Sequence, residues 1–116
     1  MRNYFSKKEQ ACNCCGVGEF QLSFLNRLNS ARELAGIPFH INSGVRCPAH
    51  NKRCNGAETS SHLTGWACDI ECEDSRTRSI ILRALLSVGF NRMGIADSFI
   101  HVDCDPIKVG NVTWVY

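Results

Sequence analysis

The sequence lacks a long apolar run, a strong excess of charge of one sign and any internal repeat. No stretch approaches the roughly 20 apolar residues of a membrane-spanning helix, so we expect no membrane partner. The formal net charge of +2 is too small to indicate a nucleic-acid partner. The N-terminal residues lack the apolar core of a secretion signal, and we therefore expect a cytoplasmic protein.

Length and composition indicate one small globular domain. The chain has 116 residues, of which 44% are hydrophobic and 21% charged, and both values are ordinary for such a domain. Neither a linker nor a low-complexity segment divides the chain. We therefore expect a single domain over residues 1–116 with a modest core, and a monomer.

Helical and strand patterns are mixed along the chain. A capping box at Ser6 predicts a short first helix, and apolar periodicity predicts longer helices over 19–35 and 75–88. A long loop is expected over 44–61. Alternation or short apolar runs predict strands over 39–43, 66–72, 92–96, 99–104 and 112–116. This order predicts an α+β fold, with a small antiparallel sheet packed with helices.

Two short segments carry residues that bind zinc in other proteins. His62 and Asp69 lie in the run from Ser60 to Ile70, and His101 lies in Phe-Ile-His-Val-Asp. Two imidazoles and one carboxylate are a usual ligand set for catalytic zinc, which keeps its fourth position open for water. In both predicted strands polar and apolar residues alternate, so each can face a cleft and a core. The sequence therefore predicts one zinc ion at His62, Asp69 and His101.

Eight cysteines are unusual in a chain of this length. Cys68 and Cys104 fall on the apolar faces of their strands, so we expect both to be buried and reduced. A cysteine-rich group before the long helix is expected to be accessible. It is either a set of free thiols or part of a second, structural zinc site. That site would comprise Cys12, Cys14 and Cys15 together with Cys47 or Cys54.

Three motifs, in this order, resemble the zinc D-Ala-D-Ala metallopeptidases. They are Ser-Gly-x-Arg-x-x-x-His-Asn at 43–51, Ser-x-His-(x)6-Asp at 60–69, and the His-x-Asp strand at 101–103. The resemblance covers roughly residues 4–105. It implies the hedgehog-like zinc peptidase fold, a zinc cofactor, and peptidoglycan or its stem peptides as substrate. It also implies D,D-carboxypeptidase or endopeptidase action. A cytoplasmic enzyme of this kind would reach the cell wall only if released, for example by a phage lysis system.

The resemblance implies two substrate contacts beside the zinc ligands. Arg46 matches the loop arginine of the family, which contacts substrate and steadies developing negative charge. Its permanently charged, forked guanidinium suits a carboxylate or an oxyanion. Ser61, next to the first ligand, is expected to hydrogen-bond the loop or the substrate.

The general base is where the sequence departs from the family. The family carries this carboxylate three residues before the last histidine ligand, and the chain has Ser98 there. Asp97 is the nearest carboxylate and is the first candidate to accept the proton of the attacking water. Asp103 and Glu71 are the alternatives, since each shares a face with a zinc ligand. Asp103 could instead orient a ligand histidine.

Two further functional classes fit parts of the sequence. A non-catalytic zinc-binding module on the same fold, with a structural or wall-attachment role, is compatible with the missing carboxylate at position 98. A cysteine-rich redox or metal-storage protein would leave the two histidines and Asp69 unexplained. Incubation of the zinc-loaded protein with peptidoglycan separates a peptidase from both.

Overall fold

The computed structural model describes residues 2–116 and shows one five-stranded sheet packed against helices. The helices are α1 (Lys7–Gln10), α2 (Leu22–Ala35), α3 (Pro48–Arg53) and α4 (Ser75–Ser87), with a 3-10 turn at Ser61–Thr64. The strands are β1 (Ile41–Ser43), β2 (Ala67–Glu71), β3 (Arg92–Ile95), β4 (Phe99–Asp103) and β5 (Val112–Val115). The predicted α+β class is confirmed.

The sheet is mixed rather than wholly antiparallel. Its strand order is β1-β2-β4-β3-β5, and all neighbours are antiparallel except β3 and β5. The chain leaves β4, passes β3 and reaches the outer edge of the sheet before it forms β5. Since β3 and β4 run in opposite directions, a strand that returns beyond β3 runs parallel to it.

Local signals set the ends of the helices. The predicted capping box is present, because Ser6 Oγ accepts a hydrogen bond from the Glu9 amide and the Glu9 side chain bonds back to Ser6. Helix α2 begins at Leu22, later than expected, because Gln21 has a non-helical ψ of 139°; the Gln21 amide donates to the Gly65 carbonyl. It ends at Gly36, whose φ of 70° is left-handed.

The segment predicted as a loop over 44–61 contains helix α3. Pro48 occupies the first helical position, where its missing N–H costs nothing. The Cys47 side chain caps the helix by accepting from the His50 amide. The prediction of an unbroken loop was wrong here because an N-terminal proline with a cysteine cap is a weaker helix signal than Ser or Asp.

The two faces of the central strands have different roles, as predicted. On one face, Cys68 and Ile70 of β2 and Ile100 and Val102 of β4 join the apolar core. This core is completed by buried side chains of α2 and α4: Phe24, Leu28, Ala31, Ile81, Ala84 and Leu85. On the other face lie the polar side chains of the same strands. None of the helices within residues 2–116 is both long and apolar enough to cross a bilayer.

Candidate active site

Strand pairing brings two of the predicted ligands together. Asp69 of β2 and His101 of β4 are direct cross-strand partners, so their side chains emerge side by side on the polar face. His62 comes from the 3-10 turn that precedes β2. Gly65 ends this turn with a φ of 80°, and an added Cβ there would lie 2.7 Å from the Glu19 carbonyl oxygen. The chain can therefore bend and return His62 to the strands.

The three side chains place one ligand atom each in a small triangle. His62 Nε2 lies 3.2 Å from Asp69 Oδ1 and 3.3 Å from His101 Nδ1. His101 Nδ1 lies 3.0 Å from Asp69 Oδ1. All three residues are more than nine-tenths buried.

Hydrogen bonds on the outer side of each ring define which nitrogens carry protons. His62 Nδ1 lies 2.8 Å from the Gly44 carbonyl oxygen, which can only accept, so Nδ1 donates. His101 Nε2 lies 2.7 Å from Asp103 Oδ2 and donates to it. In the neutral rings the inner nitrogens, His62 Nε2 and His101 Nδ1, are then bare acceptors. They face a third acceptor, Asp69 Oδ1, and such a group requires a cation or a shared proton.

The electrostatics of the metal-free site are consistent with this demand for positive charge. Burial disfavours the ionised form of Asp69, but hydrogen bonds from His101 and His62 outweigh it and lower the pKa of Asp69. Burial likewise opposes a charged His101, but its bonds to Asp103 and Asp69 raise its pKa.

The residues fit a zinc ion. Zinc bonds to histidine nitrogen and carboxylate oxygen are about 2.0–2.1 Å long, so tetrahedral ligand atoms lie roughly 3.3 Å apart. The observed separations of 3.0–3.3 Å match that spacing. The donor set of two imidazoles and one carboxylate also suits zinc. His62, Asp69 and His101 are therefore a group able to hold a metal ion, as predicted.

A model of one protein family accounts for almost the whole chain. The family is described as Peptidase M15, and its model matches residues 3–103. The chain belongs to the peptidase M15 family. This confirms the resemblance to zinc D-Ala-D-Ala metallopeptidases and supports a zinc metallopeptidase. No curated protein matches the chain.

Beside the candidate ligand group, Arg46 contacts the carboxylate of Asp69. Arg46 Nη2 donates to Asp69 Oδ2 at 3.2 Å, its Nε donates to Ser43 Oγ, and its Nη1 donates to Asn51 Oδ1. Three of the five guanidinium N–H groups are thus engaged, and two remain for another partner. The predicted arginine therefore lies beside the candidate ligand group, with a contact to Asp69 that the sequence did not reveal.

Asp103 occupies the position of an orienting carboxylate. Its Oδ2 accepts from His101, and its Oδ1 accepts from Arg92 Nε at 2.7 Å. Asp103 is only 2% exposed. With both oxygens bound, it is suited to fix the ring of His101 and less suited to accept a proton.

An open pocket of about 360 Å³ lies over the ligand triangle. Aromatic side chains of Phe99, Trp114 and Tyr116 contribute to its wall, and the Trp114 ring centroid lies 5.4 Å from that of His101. Gly94 permits this approach, because an added Cβ there would lie 2.4 Å from Trp114 Nε1. The pocket is at the lower end of ligand-binding size, which suits a short peptide segment.

Asp97 and Glu71 are not brought to the ligands. Asp97 is exposed in the turn between β3 and β4, and its carboxylate has no hydrogen bond among residues 2–116. Glu71 is exposed at the end of β2. Neither lines the pocket. Strand β4 begins at Phe99, which lines the pocket, and Asp97 precedes the strand by two residues, outside the pocket lining.

Ser61 lines the pocket but is already hydrogen-bonded. Its hydroxyl donates to Asp105 Oδ2 at 2.9 Å, and both residues are buried. Asp105 also accepts from the Ile107 amide. Sequence analysis missed Asp105, although an aspartate before Pro106 is a turn signal that could have drawn attention to it.

Two other pocket residues were missed, Arg92 and Trp114. Arg92 bonds to Asp103, and its guanidinium carbon lies 5.4 Å from the Trp114 ring centroid. Both residues belong to strands that the sequence predicted. Their partners depend on the register of β3 with β4 and β5, which no local pattern contains.

The cysteines fall into two groups, and two of the expectations need correction. Cys68 is buried, as predicted, and burial raises the pKa of its thiol. Cys104 is only half-buried, because it follows the last residue of β4 and has less cover. Cys12 is buried rather than accessible. All eight cysteines are free thiols.

Near the N terminus, four sulfur atoms form a second group able to hold a metal ion: Cys12, Cys14, Cys15 and Cys47. Burial of Cys12 opposes its ionisation, but the amides of Cys47, Cys14 and Cys15 donate to its sulfur and lower its pKa to about 5. Of the two cysteines considered as the last member, Cys47 joins the cluster. Cys54 instead lines the M15 pocket.

Proposed function

We propose that the chain hydrolyses peptide bonds of peptidoglycan stem peptides as a zinc-dependent D,D-carboxypeptidase or endopeptidase. One observation carries the proposal: three buried, proton-free ligand atoms meet on the floor of an open pocket, beside an arginine. Membership of a zinc peptidase family supports the reaction class. The substrate rests on the likeness to D-Ala-D-Ala peptidases and on the size and charge of the pocket.

His62, Asp69 and His101 would hold the zinc. When bound, zinc activates water and polarises the carbonyl of the bond to be cut. Gly44 and Asp103 keep the ring protons of the two histidines on their outer nitrogens, so the inner nitrogens remain available. Burial of all three ligands excludes competing solvent from the base of the site.

Three basic side chains outnumber the two carboxylates, Asp69 and Asp103, in the pocket lining, which suits a substrate with carboxylates. The three are Arg46, Arg92 and Lys108. We propose that Arg46 uses its two remaining N–H groups for a substrate carboxylate or for the oxygen that becomes negative during hydrolysis. Ser61 would contribute as an acceptor, since its hydroxyl proton is already donated.

We propose Asp97 as the proton acceptor. Two carboxylates line the pocket, Asp69 and Asp103. Asp103 accepts hydrogen bonds at both oxygens, whereas Asp69 accepts one from Arg46 and turns its other oxygen toward the two histidines as a candidate metal ligand. Asp97 has an unengaged carboxylate and lies two residues from Phe99, which lines the pocket. In this proposal the 96–98 turn moves toward the pocket when substrate binds, as catalytic contacts often tighten only in the complex.

A non-catalytic zinc-binding module is the second candidate. The observation that favours it is that neither carboxylate lining the pocket is free to accept a proton. Such a module would keep the zinc and the pocket, and would bind stem peptides without cutting them. The metal ligands, Arg46 and the aromatic wall would then serve recognition alone.

Incubation with purified peptidoglycan and with short stem peptides separates these functions. Mass spectrometry should detect released D-alanine or peptide fragments with the zinc-loaded chain and none with the metal-free chain. His62→Ala should abolish both zinc binding at this site and release. Retained zinc and measurable peptide binding without any cleavage would refute the peptidase and support the module. The identity of the released fragment distinguishes carboxypeptidase from endopeptidase action.

A further inference from the structure

The N-terminal segment, residues 10–15, meets the loop at residues 44–47, which carries Arg46, at a cluster of four thiols. The Sγ atoms of Cys12, Cys14, Cys15 and Cys47 all lie within 4.8 Å of one another. We propose that these four side chains hold a structural zinc ion, which fastens the N-terminal segment to the Arg46 loop. This inference concerns a different site from the proposed hydrolytic centre and does not depend on it.

The spacing of the sulfur atoms fits one tetrahedral ion. Zinc–thiolate bonds are about 2.3 Å long, so the sulfurs of a four-cysteine site lie roughly 3.8 Å apart. Cys14 Sγ lies 3.5 Å from Cys12 Sγ and 3.3 Å from Cys47 Sγ. These separations are far longer than the roughly 2.05 Å of a disulfide. A cluster this tight has room for one ion and not for several irons with bridging sulfides.

Backbone amides are already directed at the sulfurs. The Cys47 amide donates to Cys12 Sγ at 3.4 Å, and the His50 amide donates to Cys47 Sγ at 3.4 Å. Such N–H groups stabilise negative charge on sulfur, which is the form that binds a metal. The cluster is reachable from solvent, since Cys14 and Cys15 are exposed while Cys12 is buried beneath them.

The ion would join parts of the chain that are distant in sequence. Cys12 and Cys47 are 35 residues apart, and a link between them restricts the unfolded chain. Next to the cluster, a backbone hydrogen bond from the Val45 amide to the Gln10 carbonyl already connects the same two segments. Arg46 directly precedes Cys47, so an ion here also holds the loop from which Arg46 reaches Asp69.

Two neighbouring side chains define the limits of the site. His50 Nδ1 lies 3.4 Å from Cys12 Sγ, yet His50 is not part of the group whose ligand atoms all lie close together. Cys54 follows α3, is exposed and lies outside the cluster. These residues provide matched variants: His50 should not be a zinc ligand, and loss of Cys54 should not change the zinc content.

Metal analysis of purified full-length protein tests the proposal. We expect two zinc ions per chain in the native protein and in the Cys54→Ser control, but one in Cys14→Ser. His62→Ala should also retain one, at the cysteines. In cobalt-substituted protein, His62→Ala should keep the intense thiolate-to-cobalt absorption, and Cys14→Ser should lose it. His50→Gln should behave as the native chain; if it lost one zinc ion, the four-cysteine ligand set would be wrong.

Thiol labelling of the unmodified protein keeps the test valid if Cys14→Ser does not fold. Alkylation followed by peptide mapping should show the four clustered thiols protected with zinc and reactive after strong chelation. Exposed Cys54 should react equally in both states. Rapid alkylation of Cys14 and Cys15 in the zinc-loaded protein would overturn the proposal. So would a Cys14–Cys47 disulfide in freshly isolated protein, a zinc content that Cys14→Ser leaves unchanged, or iron in place of zinc at the cysteines.

Discussion

Asp103 should control zinc affinity through His101. Its Oδ2 accepts the Nε2 proton of His101 at 2.7 Å, and the donor and acceptor are both buried. Replacement of an orienting partner of this kind typically weakens metal binding 10–100-fold. We therefore expect Asp103→Asn to lower zinc affinity at the histidine site by about 1.4–2.8 kcal/mol. The site should still fill at high zinc concentration.

The same substitution has a second effect that must be separated from the first. Asp103 also pairs with Arg92, whose side chain is only 13% exposed. Loss of the carboxylate leaves this guanidinium largely buried without an anion, which costs about 3 kcal/mol of folding stability. The double variant Asp103→Asn with Arg92→Gln removes the unpaired charge. It should recover part of the stability while zinc affinity stays as low as in the single variant.

Competition with a chromogenic zinc chelator measures the affinity, and thermal unfolding measures the stability. Glu71→Gln is the matched control, because it makes the same carboxylate-to-amide change at an exposed position on the neighbouring strand. It should leave both quantities unchanged. Zinc affinity in a folded Asp103→Asn variant within twofold of the native value would refute the argument that this carboxylate orients His101.

Three other outcomes are expected. Asp97→Asn should retain zinc but lose hydrolysis about 100-fold, as for removal of a general base. Glu71→Gln should keep both zinc and the native rate of hydrolysis, and equal rates in the two variants would end the case for Asp97. Gly94→Ala should displace Trp114 from the pocket wall and raise KM more than it lowers kcat; unchanged steady-state kinetics would place substrate elsewhere. Chelation should lower the melting temperature of the native chain more than that of His62→Ala, because only the native chain would lose a metal ion from His62, Asp69 and His101, and zinc, unlike magnesium, should restore it; equal shifts in both proteins would contradict the histidine site.

The grouping of the three candidate metal ligands could be predicted from the sequence because each lies in a strong local pattern. Strict alternation in β2 and β4 assigns Asp69 and His101 to polar faces. Gly65 marks the tight turn that brings His62 alongside them.

The pocket wall and the carboxylate network could not be predicted in the same way. Trp114 reaches the site because β5 is parallel to β3 and Gly94 lacks a side chain, a relation between strands rather than within one. The pairing of Arg92 with Asp103 likewise depends on the register of β3 with β4. Asp97 shows the limit of reasoning from sequence distance, since proximity to His101 along the chain does not by itself place its side chain in the pocket lining.

The loop between β1 and α3 supports both candidate metal centres. The Gly44 carbonyl sets the tautomer of His62, the Arg46 guanidinium holds Asp69, and the Cys47 thiol belongs to the sulfur cluster. Three residues within four positions thus serve two sites, although only backbone hydrogen bonds and side-chain contacts hold this segment, with no regular secondary structure. A metal ion at the cysteines would add a further restraint to this loop, and with it help to fix the position of Arg46 that recognition of a charged substrate requires.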